Sequence, residues 1–178
     1  MLSAVIDTSS LVSYVLTRGE LMSCVVAHWR VGTFRFISSP ATREELQAVL
    51  KRPQIQQLAD VSIDELSEGL ERFSHHVPGN IDVSGACRDA KDDKFLACAV
   101  EGDAQYLVSS DRDLLDMRRF RDVAIVNPGQ FLLAVELYPL HAGAIAERFD
   151  HTVLTGILET IPLEPSTETR LREAIKLR

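Results

Sequence analysis

The apolar run Leu2–Ile6 stops at Asp7-Thr8-Ser9, and the spacing of apolar residues then changes to that of a helix over Ser10–Leu16. Helical spacing returns over Glu20–Val31, where Trp29 shares an apolar face with Val25 and Val26 and reads as core. Phe34–Ile37 reads as the next strand. Ser39 followed by Pro40 opens a helix, because a first-turn residue needs no N–H donor. Leu46, Val49 and Leu50 form the inner stripe of that helix and Arg52-Pro53 ends it. Ser62 and Glu65 carry a capping-box pattern for a helix reaching about Phe73, and His75–Gly85 reads as loop. A helix over Asp89–Glu101, strands at Gln105–Val108 and Val123–Val126, and a short helix from Pro128 follow. Strands alternating with helices predict an α/β fold, a mainly parallel central sheet flanked by helices.

Beyond Pro139 the pattern is helical only. Helices are expected at Ala142–Phe149 and Val153–Leu158, and Pro165-Ser166 introduces a last one with Glu168 in its first turn. Arg172, Lys176 and Arg178 fall toward its C-terminal end, where positive charge complements the helix dipole. The chain thus divides into an α/β domain over 1–138 and a helical C-terminal extension over 139–178. The apolar face of Leu171, Ala174 and Ile175 suits packing on its own domain or on a second subunit equally.

A length of 178 residues accommodates one domain with a sizeable core. No apolar run approaches the ~20 residues that span a bilayer, so no membrane association is expected. Met-Leu-Ser-Ala at the start lacks the basic segment of a signal peptide, and a cytoplasmic setting is expected. Cys24, Cys87 and Cys98 are odd in number and lack paired spacing, which disfavours a disulfide framework or zinc cluster. His75 and His76 have no Cys or Asp at ligand spacing. Neither a glycine-rich phosphate loop nor a Gly-x-Ser-x-Gly elbow occurs, which disfavours nucleotide-binding and serine-hydrolase chemistry.

The net charge of -7 leaves a nucleic-acid role open, because acids gathered around a cation are neutralised locally. Arg112, Arg118, Arg119 and Arg121 crowd near Asp111; they read as a phosphate guide or as a solvated face.

The acids stand in informative places. Asp7 and Asp111 lie just past two apolar runs, where the strands of a parallel sheet gather ligands. At about 100° per residue, Glu45 lies at the edge of the stripe of its helix while Glu44 points away. Asp92 lines up with Leu96, Ala99 and Val100, and Asp93 sits farther round. Asp89, Asp92 and Asp93 also suit the positive end of a helix, so a structural role competes. Together Asp7, Glu45, Asp92 and Asp111 form an all-oxygen set suited to Mg2+ or Mn2+. Two such ions ~4 Å apart can stabilise the attacking and departing oxygens of an in-line displacement at phosphorus.

The stretches Val5-Ile6-Asp7-Thr8-Ser9-Ser10-Leu11, Ser38-Ser39-Pro40 leading to Glu44-Glu45-Leu46, Asp89-Ala90-Lys91-Asp92-Asp93-Lys94-Phe95-Leu96, Val108-Ser109-Ser110-Asp111-Arg112-Asp113-Leu114-Leu115 and Val126-Asn127-Pro128-Gly129-Gln130-Phe131-Leu132 occur in one order. In that order, over roughly Leu2 to Leu133, the chain resembles the PIN-domain nucleases, especially the VapC-like toxins of toxin-antitoxin pairs. The resemblance implies a Mg2+- or Mn2+-dependent endoribonuclease that hydrolyses RNA with metal-activated water. The catalytic and metal-binding acids would be Asp7, Glu45, Asp92 and Asp111, with Asp93 the alternate for the third. Thr8, Ser9, Ser110, Arg112 and Asp113 are weaker candidates for orienting the acids or touching phosphate, and helix capping competes for the hydroxyls and Asp113. Ser9 stands where members often carry Asn, so a role in holding Asp7 would pass from an amide to a hydroxyl. RNA, an antitoxin protein and a second copy of the chain are the partners implied. A catalytically inactive PIN-like module binding RNA or protein, or a DNA-directed nuclease, are the alternatives.

Overall fold

Short apolar runs make strands here because both faces of the sheet are covered. In the computed structural model, which describes residues 1–178, β1 (Leu2–Ile6), β4 (Tyr106–Val108) and β6 (Val123–Val126) are buried along their whole length. β2 (Phe34–Ser38) exposes only Arg35. Leu2, Ala4 and Ile6 enter one hydrophobic cluster and Val5 the other, the alternation a strand imposes. Two short strands, β3 (His75–His76) and β5 (Arg119–Phe120), complete a sheet of order β3-β2-β1-β4-β6-β5. Every pairing is parallel except β5 with β6. The sheet is therefore mainly parallel and the fold is α/β, as the pattern predicts.

From β1 the chain builds β2 and β3 on one side, then returns to lay β4 and β6 on the other. The direction of winding thus switches between β1 and β4, the place where a parallel sheet forms a crevice beyond the carboxyl ends of its strands. One face of the sheet carries α1 (Thr8–Thr17), α2 (Glu20–Arg30), α3 (Pro40–Leu50), α5 (Ile63–Phe73) and α8 (Pro128–Leu137), with Trp29 tilted against Phe36 at 5.6 Å. The opposite face is covered chiefly by α6 (Asp93–Glu101), whose Phe95, Leu96, Cys98 and Ala99 are buried there.

Four local expectations change. A new helix, α4 (Pro53–Leu58), begins at the proline that ends α3; it buries no residue, so it leaves no stripe in the sequence. His75–His76 is paired with β2 rather than loop, and β5 is added, each only two residues long. The helix expected from Asp89 starts at Asp93, because residues 89–92 form a turn closed by the Asp92 N–H on the Asp89 carbonyl. The short α7 (Arg112–Leu115) is capped by Asp111.

The remaining helices, α9 (Ala142–Arg148), α10 (His151–Thr160) and α11 (Pro165–Lys176), pack on the chain's own α/β unit. Ile145, Leu154, Ile157, Leu163, Leu171 and Ala174 belong to the larger core cluster. The Glu164 N–H donates to the Tyr106 hydroxyl of β4 at 2.9 Å. Arg118 donates to the carbonyls of Glu159 and Thr160, and Arg119 to that of Leu163. Two of the four clustered arginines are thus used to fasten these helices, not to line the crevice. No single helix is long and apolar enough to cross a membrane.

Candidate active site

Parallel pairing of β1 with β4 brings Ile6 opposite Val108, so the next residues, Asp7 and Ser109, emerge side by side at the mouth of the crevice. The Asp7 N–H donates to the Val108 carbonyl at 3.0 Å. Asp7 itself is only 3% exposed, a burial that a charged carboxylate tolerates only when hydrogen-bonded or facing a cation. Its Oδ1 accepts the Ser10 N–H at 2.8 Å, capping α1, and its Oδ2 accepts the hydroxyls of Ser9 at 2.7 Å and Ser109 at 2.5 Å. Ser9 thus holds Asp7 with a hydroxyl.

Ser109 is not singled out in the sequence, where its neighbour Ser110 is the candidate. It is fully buried, and its oxygen also accepts the Asp111 N–H at 2.9 Å, tying the two strand-end acids together. Asp111 is exposed, and its Oδ1 accepts the Asp113 N–H at 2.7 Å. Asp113 lies in the first turn of α7, and its carboxylate is ion-paired with Arg88. The Ser110 hydroxyl lies 3.1 Å from that of Ser10. Arg112 is exposed beside Asp111 with no acidic partner. Thr8 is turned away: its hydroxyl is buried without a hydrogen-bond partner and lines a cavity of about 20 Å³ with Ser38, Thr42 and Arg43.

The other acids arrive from helices. On α3, capped reciprocally by Ser39 and Thr42, Glu44 is exposed and Glu45 half-buried, its carboxylate ion-paired with Lys94 of α6. Asp92 and Asp93, adjacent at the head of α6, have different surroundings. The Asp93 carboxylate accepts the N–H groups of Gly85 and Cys87 at 2.7 and 2.8 Å, binding the preceding loop to the helix. Asp92 makes no such bond. Burial, and then the charges of Asp111, Asp89, Asp7 and Glu45, push its carboxyl up to about 6. That repulsion records the convergence: acids from both strand ends and α3 act on one group at the head of α6.

No three acidic, imidazole or thiol groups already stand at ligating spacing around one point. The donor set nonetheless suits a hard divalent cation, being all carboxylate and mutually repulsive. Asp7, Asp92, Asp111 and Glu45 are the residues that would hold it. A cavity of about 560 Å³ is elsewhere: Met1, Trp29, Phe34 and Phe73 line it at the amino ends of the strands, and it contains none of these acids.

Comparison with known proteins agrees with this geometry. No curated protein matches the chain. The family model described as PIN domain matches residues 3–113, from β1 into α7, and so spans every acid of the crevice. The chain belongs to the PIN-domain family, whose members are typically nucleases that depend on divalent metal ions.

Proposed function

We propose that the protein is a metal-dependent endoribonuclease, the toxin of a toxin-antitoxin pair working in the cytoplasm with Mg2+ or Mn2+. The observation that carries this reading is Asp92, whose carboxyl is pushed up first by burial and then by the charges of Asp111, Asp89, Asp7 and Glu45, at the switch point of the sheet. Acids that repel one another this way are stabilised when a cation joins them.

A bound divalent ion supplies Lewis-acid charge to a phosphodiester and makes water a stronger acid. The chain does the rest. Asp7, fixed by three hydrogen bonds, is a preorganised ligand that loses little freedom when it binds the ion. Asp92 and Asp111 face the same crevice, and Glu45 joins them from α3. Asp93 stays with its loop. Ser9 and Ser109 orient Asp7, while Arg112 stands free to meet a phosphate beside Asp111. The role of Ser110 is to steady the α1 head through Ser10.

The test is cleavage of end-labelled RNA by the purified protein with Mn2+, with EDTA, and as Asp7→Asn. Hydrolysis that needs the metal and disappears in the variant is expected. Hydrolysis unaffected by either change would remove the proposal, and cleavage of single-stranded DNA but not RNA would reassign the substrate. For the toxin role, induced expression should arrest growth in wild type and not in Asp7→Asn; growth unaffected by the wild-type protein would sink it.

A further inference from the structure

Of the four acids proposed to hold metal, Glu45 alone has a cationic partner. Asp7 is satisfied by one N–H and two hydroxyls and Asp111 by one N–H, whereas the Glu45 carboxylate is engaged by the Lys94 ammonium across the α3 and α6 packing. The pair is substantially shielded, with side-chain exposures of 29% for Glu45 and 26% for Lys94. Lys94 reaches Glu45 from α6, the helix whose head carries Asp92, so its charge lies against one of the four acids.

We infer that Lys94 is a resident counter-ion which competes with the divalent cation for Glu45 and so sets the metal concentration at which the site loads. The inference rests on the proposed metal-dependent reading of these acids. The physical basis is simple. An ammonium and a divalent ion repel each other, and the Glu45 oxygen held by Lys94 has to be released, or shared at reduced strength, when metal enters. Lys94 is therefore a positioning residue that acts through Glu45. It keeps the carboxylate ordered in the metal-free protein, and metal binding includes the cost of opening the pair. One of the four carboxylate charges is neutralised from within, which lessens the repulsion in the cluster before any ion arrives.

The experiment is calorimetric titration of the full chain with Mn2+ alone, for wild type, Lys94→Gln, Lys94→Arg and Lys91→Gln. Lys91 is exposed and has no acidic partner, so Lys91→Gln removes the same charge from the same segment without touching Glu45. Lys94→Gln is expected to bind Mn2+ about 3- to 10-fold more tightly than wild type, the range a partly shielded ion pair supports. Lys94→Arg, which keeps the pair, should stay within about twofold of wild type, and Lys91→Gln should shift less than Lys94→Gln. A damaged fold weakens metal binding, so tightening is a readout that structural loss does not produce. Unchanged or weaker binding by Lys94→Gln, or an equal gain in Lys91→Gln, would overturn the inference and leave the metal site standing. Absence of Mn2+ binding in the wild type would overturn the metal-dependent reading and this inference with it.

Discussion

Ser109 joins Asp7 to Asp111: its hydroxyl donates to the Asp7 carboxylate at 2.5 Å, and its oxygen accepts the Asp111 N–H at 2.9 Å. One buried hydroxyl thus serves both strand-end acids. Ser109→Ala deletes a bond to a charged group and leaves an N–H without its partner. A loss of about 1–3 kcal/mol is expected in urea denaturation, with weaker Mn2+ binding. Stability within ~0.3 kcal/mol of wild type would show that the hydroxyl bears little of this burden.

Asp92 and Asp93 should separate cleanly on substitution. Asp92→Asn removes a repelled carboxylate, so nuclease activity and Mn2+ binding should fall while the metal-free protein is as stable as wild type or more so at neutral pH. Asp93→Asn weakens the hold on the Gly85 and Cys87 N–H groups and should cost about 1–2 kcal/mol in thermal or urea unfolding. The opposite assignment, with Asp93→Asn neutral for stability and fatal to metal binding, would exchange their roles.

The raised Asp92 carboxyl has a direction in pH. Its folded value is about 6 against an ordinary 3.8, so the folded protein binds more protons than the unfolded chain between those values. Its contribution to the stability of the metal-free protein therefore decreases as pH rises from about 4 to 6 and is constant above that. Mn2+ must displace the proton below about pH 6, so affinity should climb through that window and then level. Urea midpoints and Mn2+ titrations between pH 4.5 and 7.5, compared with Asp92→Asn, check both. An identical pH profile in the variant would assign the effect to other groups.

Glu164 anchors the C-terminal helices. It is 4% exposed, caps α11 by accepting the N–H groups and hydroxyls of Ser166 and Thr167, and lies 3.7 Å from Arg170. Burial alone would raise its carboxyl, but the bonds from Thr167 and Ser166 outweigh that and leave it below its ordinary value. Its stabilisation is present above the unfolded value and is lost as pH falls through the folded one. Glu164→Ala should cost about 2–3 kcal/mol at pH 7, seen as a lowered urea midpoint, with the difference from wild type shrinking in acid. A difference that does not change with pH would remove the linkage.

How much of this was visible in the chain depends on how local each cause is. Asp7 and Asp111 were legible because an apolar run halting at a carboxylate marks a strand end within a few residues. Glu45 and Glu44 were separable because α3 is regular enough for a helical projection to hold. Asp92 is different: the projection assumed a helix from Asp89, whereas Asp93 bonds the loop and delays the helix, a tertiary effect with no periodic signature. The pairs β2 with β3 and β5 with β6 depend on neighbouring strands, and two residues are too few to alternate. Ser109 and Lys94 act across about a hundred and about fifty residues of sequence, so only the register of β1 with β4 and the packing of α3 on α6 reveal them. Arg118 and Arg119 looked available for phosphate because the helices they fasten come later in the chain.

Neighbouring strands in a peptide ladder lie about 4.8 Å apart whatever the loops around them do. Since Asp7 and Ser109 leave adjacent rails of one ladder, their separation is inherited from backbone pairing rather than from side-chain fit. Loops and outer helices around this rim can lengthen, shorten or be exchanged, as a change of substrate would demand, while that gauge stays the same.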